Sequence, residues 1–222
     1  KALHYAERAA AASAELAPDE AMQWYERALE LLDRAPSSAQ NSRRRVELLL
    51  GLGDAQRRSG DPKYRQALLD VSRLADEIDA VDLQLRAVLT NHRGFWSSMC
   101  QHDAERVAAI ERAIERLEST EQSDSIDRAR LLALLAVEEY FHSSPERRQA
   151  LVDEAIRIAR AHGDPSILSE VLYRGEVALR SPATLQQRFA WVKEACSLAD
   201  VQSPVGLRFN VHADASLVAI EA

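Results

Sequence analysis

Apolar residues recur along most of this chain at spacings of three and four positions, the period of helices that bury one face. The clearest stripes are Val46, Leu49 and Leu50, then Val107, Ile110, Ile114 and Leu117, and then Leu151, Ala155 and Ile158. Such stripes predict a chain built from amphipathic α-helices, each with one side turned toward a core.

Helix starts are marked by an acidic or hydroxyl residue followed by proline. The side-chain oxygen of the first residue can cap the opening turn, and proline suits the first helical position because it has no N–H to satisfy. The dipeptides of this kind are Asp61-Pro62, Ser144-Pro145, Asp164-Pro165, Ser181-Pro182 and Ser203-Pro204, and Pro18-Asp19-Glu20 adds a further start.

Together, the stripes and starts predict eleven helices joined by short turns. Their expected ranges are 2–16, 18–34, 43–59, 62–77, 81–99, 103–118, 124–142, 145–162, 165–180, 182–199 and 204–222. Short turns between helices of this length favour antiparallel packing of neighbours.

The junctions between the predicted helices repeat. LADEIDAVDL, IARAHGDPSI and LADVQSPVGL are three versions of one junction, with Ala75, Ala159 and Ala199 in equivalent places. Their separations fit a two-helix unit of about forty residues, which is typical of an α-solenoid. We therefore predict an all-α fold, an α-α superhelix, in one domain that spans 1–222.

Composition narrows the class of protein further. The 222 residues include only Gly 7 and Pro 7, fewer turn formers than a β-sandwich or barrel needs. The net charge of −7 argues against a broad nucleic-acid-binding surface. The two cysteines suggest no disulfide framework, and no signal peptide or membrane-spanning run is recognisable. These features predict a soluble, cytoplasmic chain with neither nucleic acid nor membrane as its partner.

Two stretches match the spacing of a tetratricopeptide repeat. AMQWYERALELL carries Ala21, Tyr25 and Ala28 as in the second helix of that repeat, and LGDAQRRSGD carries Leu52 and Gly53 as in the first helix. Small residues at these positions let paired helices approach closely, and the aromatic ring fills the gap between units. The superhelix is therefore expected to be of the tetratricopeptide type.

The longer unit resembles the tetratricopeptide-like region of actinobacterial signal-transduction ATPases, the LuxR-type and maltose-activator-like transcription regulators and their cyclase-linked relatives. The resemblance is carried by HYAERA, LAPDEAMQWYERALELL, ELLLGLGDAQRRSGDP, NHRGFWSSMCQHDAERV and ARAHGDPSILSEVL. In that family such an array follows a P-loop ATPase module and acts as a sensor and oligomerisation arm. The resemblance implies attached ATPase and output domains, and it leaves a homo-oligomer open.

ATP and DNA binding do not carry over to any residue of this chain. It contains no G-x-x-x-x-G-K-[ST] phosphate loop and no recognisable DNA-reading helix pair. We therefore expect a non-enzymatic, cofactor-free arm that binds a peptide, a protein or a small effector in a concave groove. The alternative is an oligomerisation scaffold that senses nothing. An enzyme ranks third, because no acid–base pair or nucleophile constellation stands out.

Polar residues on the first helix of each pair are candidates for the groove wall, because that helix lines the groove in tetratricopeptide superhelices. The candidates are Asn91, Arg93, Arg130, Tyr140, Arg174, Arg208 and His212. Arg93 and Arg174 each precede a glycine, which inside a helix marks close backbone approach or room for a ligand. The alternative is that these arginines only hold helices together, through partners such as Glu138, Glu139, Glu176 or Asp214.

The last predicted helix, 204–222, is apolar over much of its surface. A helix with apolar residues on several faces is stable in water only when other helices pack against more than one of those faces. A solenoid closes with an atypical repeat whose outer face is polar, and no such repeat is recognisable here. We therefore expect the chain to be part of a longer polypeptide.

The stretch NHRGFWSSMCQHD, residues 91–103, contains the residue types that bind zinc. On a continuous helix, His92 and Cys100 would lie about 12 Å apart along the axis, too far to share an ion. Cys100 and His102 supply two ligands where zinc needs three or four. We interpret the stretch as a helix end and a turn, with Asp103 capping the next helix.

Cys100 and His102 should therefore bind no transition metal tightly, because two ligands leave zinc incompletely coordinated. Elemental analysis of protein purified without added metal should find far less than one zinc ion per chain. Stoichiometric zinc that disappears in a Cys100→Ser variant would contradict this interpretation.

Overall fold

The computed structural model describes residues 1–93, 102–120, 122, 124–199 and 203–222. These residues form eleven α-helices and one short 3-10 segment, and they contain no strand. The predicted all-α class is therefore confirmed. The chain divides into two compact units, Lys1–His92 and Arg93–Ala222.

The first unit contains five helices. They are α1 (Ala2–Ser13), α2 (Pro18–Leu32), α3 (Ala39–Ser59), α4 (Tyr64–Glu77) and α5 (Val81–Thr90). Each helix packs against the next, and α3 also contacts α5. The larger apolar cluster is formed by α3, α4 and α5, with Val46, Leu50, Leu68, Val71 and Leu83 at its centre.

The second unit contains six helices. They are α6 (Ala104–Ser119), α7 (Ile126–Glu138), α8 (Pro145–His162), α9 (Pro165–Ala178), α10 (Leu185–Leu198) and α11 (Val205–Glu221), with the 3-10 segment Pro182–Thr184 before α10. Each helix packs against the next, and α9 also contacts α7 and α11. This pattern of contacts, to the next helix and to the one after it, is the pattern of stacked helix pairs. The continuous superhelix stays a prediction.

Several helix ends follow the predicted capping chemistry. Ser144 and Asp164 accept hydrogen bonds from backbone N–H groups in the first turns of α8 and α9, and Asp103 does the same for α6. Gly60 and Gly163 end α3 and α8 in the left-handed region, with φ of 81° and 74°. Glycine adopts that conformation without steric cost, so these residues stop their helices cleanly.

The other predicted proline starts differ from the structure. The carboxylate of Asp61 accepts from the N–H of Lys63, and its carbonyl accepts from Tyr64, so a separate turn precedes α4. Ser181 precedes the 3-10 segment rather than α10, and Pro204 precedes α11 without a side-chain capping bond. At Asp61 and Ser181, local turn bonds use the groups that would otherwise cap an α-helix.

The helix predicted over 81–99 begins at Val81 and ends at Thr90, residues 91–93 are not helical, and 94–99 lie outside the described residues. The backbone of Asn91 leaves the helical region, with φ −77° and ψ 45°, and its side-chain amide donates to the carbonyl of Arg65 over 3.1 Å. This anchor to α4 fixes Asn91 outside the helix. The helix predicted over 124–142 likewise ends early, at Glu138.

Gly175 on α9 lies against side chains of α8 and α10. A Cβ atom at this position would lie 2.7 Å from Val152 Cγ1 and 3.3 Å from the ring of Trp191. The first unit uses the same device, since a Cβ on Gly51 would lie 2.4 Å from the ring of Tyr25. Both glycines therefore leave room for a neighbouring side chain to pack directly against the backbone of their helix.

Gly175→Ala should destabilise the protein by about 1–3 kcal/mol, because the added methyl group overpacks the contact with Val152 and Trp191. Gly206→Ala is the matched control, since a Cβ there would have no neighbour within 4 Å. The control should be neutral or stabilising by up to about 1 kcal/mol, the helix-propensity difference. Urea unfolding of both variants measures the effect, and equal stability would show that α9 can move away without loss.

Candidate binding site

Asn91 belongs to the first unit and is buried, with 2 % of its surface exposed. Its side-chain amide is used to fix the end of α5 against α4, through the bond to the Arg65 carbonyl. Asn91 therefore serves to hold the end of α5 against the backbone of α4. Gly94 and Cys100, which sequence reasoning also singled out, lie outside the described residues.

Arg93 lies at the start of the second unit and contacts Glu138 at the end of α7. Its Nε donates to Glu138 Oε2 over 2.9 Å, and Arg106 Nη1 lies 3.7 Å from the other oxygen of the same carboxylate. The side chain of Glu138 is 1 % exposed. A carboxylate this buried needs compensation by nearby positive charge, and Arg93 and Arg106 provide it.

Arg130 on α7 and Arg174 on α9 share one carboxylate, that of Glu170. Arg130 Nε donates to Glu170 Oε2 over 3.0 Å, and Arg174 Nη2 lies 2.7 Å from Glu170 Oε1. Burial alone would raise the pKa of Glu170, but the two guanidinium groups outweigh it and hold that pKa below its ordinary value. These three side chains form what we call the α7–α9 seam.

One donor of the α7–α9 seam has no acceptor. Arg174 is 8 % exposed, and its Nη1 is buried without a hydrogen-bond partner among the described residues. An unmet buried donor costs about 1–3 kcal/mol, and more when the group is charged. On the other side of the seam the Arg130 side chain is 29 % exposed, so the seam reaches solvent there.

Tyr140 is tied to the polypeptide around it. Its hydroxyl donates to the carbonyl of Arg180 over 2.5 Å, and the Arg148 guanidinium lies 5.1 Å from the centre of its ring. Arg148 in turn donates to the carbonyls of Ser143 and Ala178. These contacts make Tyr140 part of the junction that follows α7.

Arg208 and His212 lie one turn apart on α11, as their spacing predicts. Arg208 is half-buried, and His212 is exposed. In the described part of the second unit, Arg208 and His212 do not contact the carboxylates that bind Arg93, Arg130 and Arg174. The structure therefore brings Arg93, Arg130 and Arg174 into carboxylate clusters and leaves Arg208 and His212 apart from them.

A second group of buried charges joins α9, α10 and α11. Glu176 receives Arg188 Nη1 over 2.9 Å and Arg180 Nη2 over 2.8 Å. Arg180 Nη2 also donates to Asp214 over 2.7 Å, and Arg188 Nη2 donates to Glu221 over 2.5 Å. We call these five side chains the α9–α11 ion cluster.

The roles of Arg180 and Arg188 in this cluster were missed by sequence reasoning, although a signal for Arg188 exists. Arg188 precedes Trp191, Val192 and Ala195 at helical spacing, so it lies on the apolar stripe of α10. Asp214 lies between Val211 and Val218 in the same way. A charged residue on an apolar stripe predicts a buried ion pair with a charge on a neighbouring helix.

The two inner carboxyl groups of the α9–α11 ion cluster, those of Glu176 and Asp214, shift each other's pKa. Burial raises the pKa of Asp214 to about 8, helped by its hydrogen bond to Glu176 and the negative charge there. Burial acts in the same direction on Glu176, but its bonds to Asp214 and Arg180 leave its pKa below the ordinary value. Among the described residues, Asp214 Oδ2 is buried and receives no donor, so a proton on that oxygen would displace no existing hydrogen bond.

Within the described residues, no three His, Cys, Asp or Glu side chains lie close enough together to hold a metal ion. The rings of His102 and His142 lie with centroids 4.2 Å apart and their planes tilted by 48°. Burial raises the pKa of the Cys196 thiol, which disfavours the reactive thiolate at neutral pH. In the same described part of the chain, no helix is both long and apolar enough to cross a membrane.

No family model, curated protein or solved structure matches the chain. The regulator family named above is therefore supported by the sequence resemblance alone. The structure independently provides the all-α fold and the buried charged clusters.

Glu170→Gln should destabilise the protein by about 3–5 kcal/mol, because it leaves the buried Arg174 without a compensating charge. Glu154→Gln is the matched control, since Glu154 also binds two arginines, Arg128 and Arg157, but with its side chain 37 % exposed. Its loss should cost less than about 1 kcal/mol. Urea unfolding at pH 7 compares the two, and equal small losses would show that the α7–α9 seam is not a stabilising ion pair.

Proposed function

We propose that this chain is a non-enzymatic binding arm that recognises an anionic or carbonyl-rich group at the α7–α9 seam. The observation that carries this proposal is the buried Arg174, whose Nη1 has no acceptor in the described part of the chain. A ligand carboxylate or carbonyl would supply that acceptor and remove the cost of the unmet donor. The ligand is a peptide, a protein segment or a small effector that carries such a group.

The composition of the α7–α9 seam supports an anion as the recognised group. Two arginines converge on the carboxylate of Glu170, and the remaining nearby carboxylate, Asp127 at 3.8 Å from Arg130 Nη1, is 45 % exposed, so the buried part of the seam carries more positive than negative charge. Arginine presents planar, paired donors, which suit a carboxylate better than the point charge of lysine does. Because the seam is solvent-accessible at Arg130, a ligand can approach from that side.

The resemblance to regulator arms gives the proposal a cellular setting. In such a regulator, the arm would be joined to ATPase and output domains in the cytoplasm and would report binding to them. A ligand that binds one packing of α7 and α9 better than another shifts the population toward that packing. The size of the shift is set by the difference between the two affinities.

An oligomerisation scaffold is the second candidate. It is favoured by exposed apolar side chains on α11, where Val205 is 78 % and Ile220 83 % exposed. Apolar side chains exposed to this extent are suited to contact with a second copy of the chain. A scaffold would associate without any ligand, so the two candidates differ in what the isolated protein does.

Arg130→Gln should remove the response to a ligand while leaving most of the stability, because Arg174 still compensates Glu170. A thermal-shift screen of metabolites and acidic peptides should find ligands that raise the Tm of wild type but not of Arg130→Gln. Arg157→Gln on α8 removes the same charge from an exposed ion pair and should respond like wild type.

Two outcomes would overturn the binding proposal. Either no member of the library raises the Tm of wild type, or Arg130→Gln responds as fully as Arg157→Gln does. Sedimentation velocity on the same samples addresses the scaffold, which predicts association of the wild type in the absence of any ligand.

A further inference from the structure

The α9–α11 ion cluster contains two carboxyl groups that are completely shielded from water. The side chains of Glu176 on α9 and Asp214 on α11 are both 0 % exposed. The charged groups that face them are Arg180 after α9, Arg188 on α10 and Glu221 on α11. Tyr173 on α9 is the other titratable neighbour, and burial followed by the charge of Asp214 raises its pKa, so it stays neutral.

The charges of the cluster do not balance when every carboxyl group is ionised. Arg180 and Arg188 contribute two positive charges, and Glu176, Asp214 and Glu221 contribute three negative ones. Ionising both inner carboxyl groups would place like charges together on side chains that are 0 % exposed to solvent, which is strongly unfavourable. The Glu221 side chain is 41 % exposed, so solvent screens its charge, whereas a proton on Asp214 removes the repulsion between the two buried carboxyl groups and supplies the donor for the hydrogen bond to Glu176.

We propose that the packing of α11 against α9 and α10 is linked to this proton, so that losing it releases α11. The protonated pair holds the two helices together through the Asp214–Glu176 hydrogen bond and the shared contact with Arg180. Once the proton is lost, Asp214 reaches a stable ionised state only in water. Since α11 carries Asp214, the route to water is the separation of α11 from α9.

The direction of the pH dependence follows from proton binding in the two states. The pKa of Asp214 is about 8 with α11 packed, against an ordinary value of 3.8 when the side chain is solvated. Between these values the packed state holds one more proton than the released state, so its stability falls as pH rises. The opening equilibrium of α11 should increase about tenfold per pH unit. Glu176 acts in the opposite direction, but only near and below its ordinary pKa of 4.5.

This device goes beyond the proposed ligand binding and does not require it. Release of α11 uncovers one side of α9, the helix that also carries Glu170 and Arg174 of the α7–α9 seam. Proton loss at Asp214 and anion binding at the α7–α9 seam would therefore both change the contacts of α9, one where it meets α11 and the other where it meets α7. The chain would respond to alkaline conditions in addition to a ligand.

Carbon-13 NMR of the Asp214 side-chain carboxyl group in the wild-type protein tests the first step directly. Its titration should occur far above the ordinary aspartate range, which is centred near about 3.9. Titration of Asp214 within that ordinary range would overturn the proposal. The measurement uses no variant and no ligand, so it is independent of whether the α7–α9 seam binds anything.

Hydrogen exchange tests the release. Protection factors of α11 amides in wild type should fall about tenfold per pH unit between pH 5.5 and 7.5. In Asp214→Asn they should be independent of pH, because the amide keeps an oxygen for Arg180 and an N–H for Glu176 but cannot ionise. Asp153→Asn, an exposed change on α8, should keep the wild-type slope. An unchanged slope in Asp214→Asn would overturn the proposal, and if that variant does not fold, the wild-type titration alone decides.

Discussion

Charged side chains on the inward faces of the helices of the second unit must be neutralised inside the fold, and this requirement determines how those helices are packed. Arg188, Glu176 and Asp214 are all 0 % exposed, and removing such groups from water costs several kcal/mol for each ion. Helices α9, α10 and α11 can therefore approach only in the register that brings these groups together. Apolar contacts alone would tolerate small shifts of register, whereas a buried ion pair does not. Glu138 and Glu170 impose the same condition where α7 meets its neighbours.

The first unit is stabilised differently. Its ion pairs lie nearer the surface, as between Arg43 and Asp82 or between Arg44 and Glu7, and exposed pairs contribute little to stability. What fixes its helices is the apolar cluster of α3, α4 and α5, together with the contact between Gly51 and Tyr25. The two units thus share the all-α class but depend on different interactions.

The helices could be predicted from the sequence because they depend on local patterns. Apolar stripes and capping residues such as Ser144 and Asp164 gave nearly all of the elements. The prediction of a helix end was wrong where a tertiary contact determines that end, as at Asn91, whose side chain binds the Arg65 carbonyl just after α5.

The candidate site was harder to predict than the helices. Spacing nominated Arg93 and Arg174, but it could not show that Arg174 shares Glu170 with Arg130, because that depends on how two helices meet. The pairing of Arg93 with Glu138 was foreseen as an alternative to a groove role.

Glu176 has a consequence for how the sequence can change during evolution. Its carboxylate contacts Arg180, Arg188 and Asp214, so loss of the charge of either arginine leaves a buried carboxylate undercompensated. Single substitutions that remove one of these charges are therefore costly, whereas joint replacement of a buried ion cluster by apolar residues of similar volume is often tolerated. The cluster should accordingly be inherited as a block, either complete or lost as a whole. Divergent descendants of this chain should then fall into two groups, with few sequences between them.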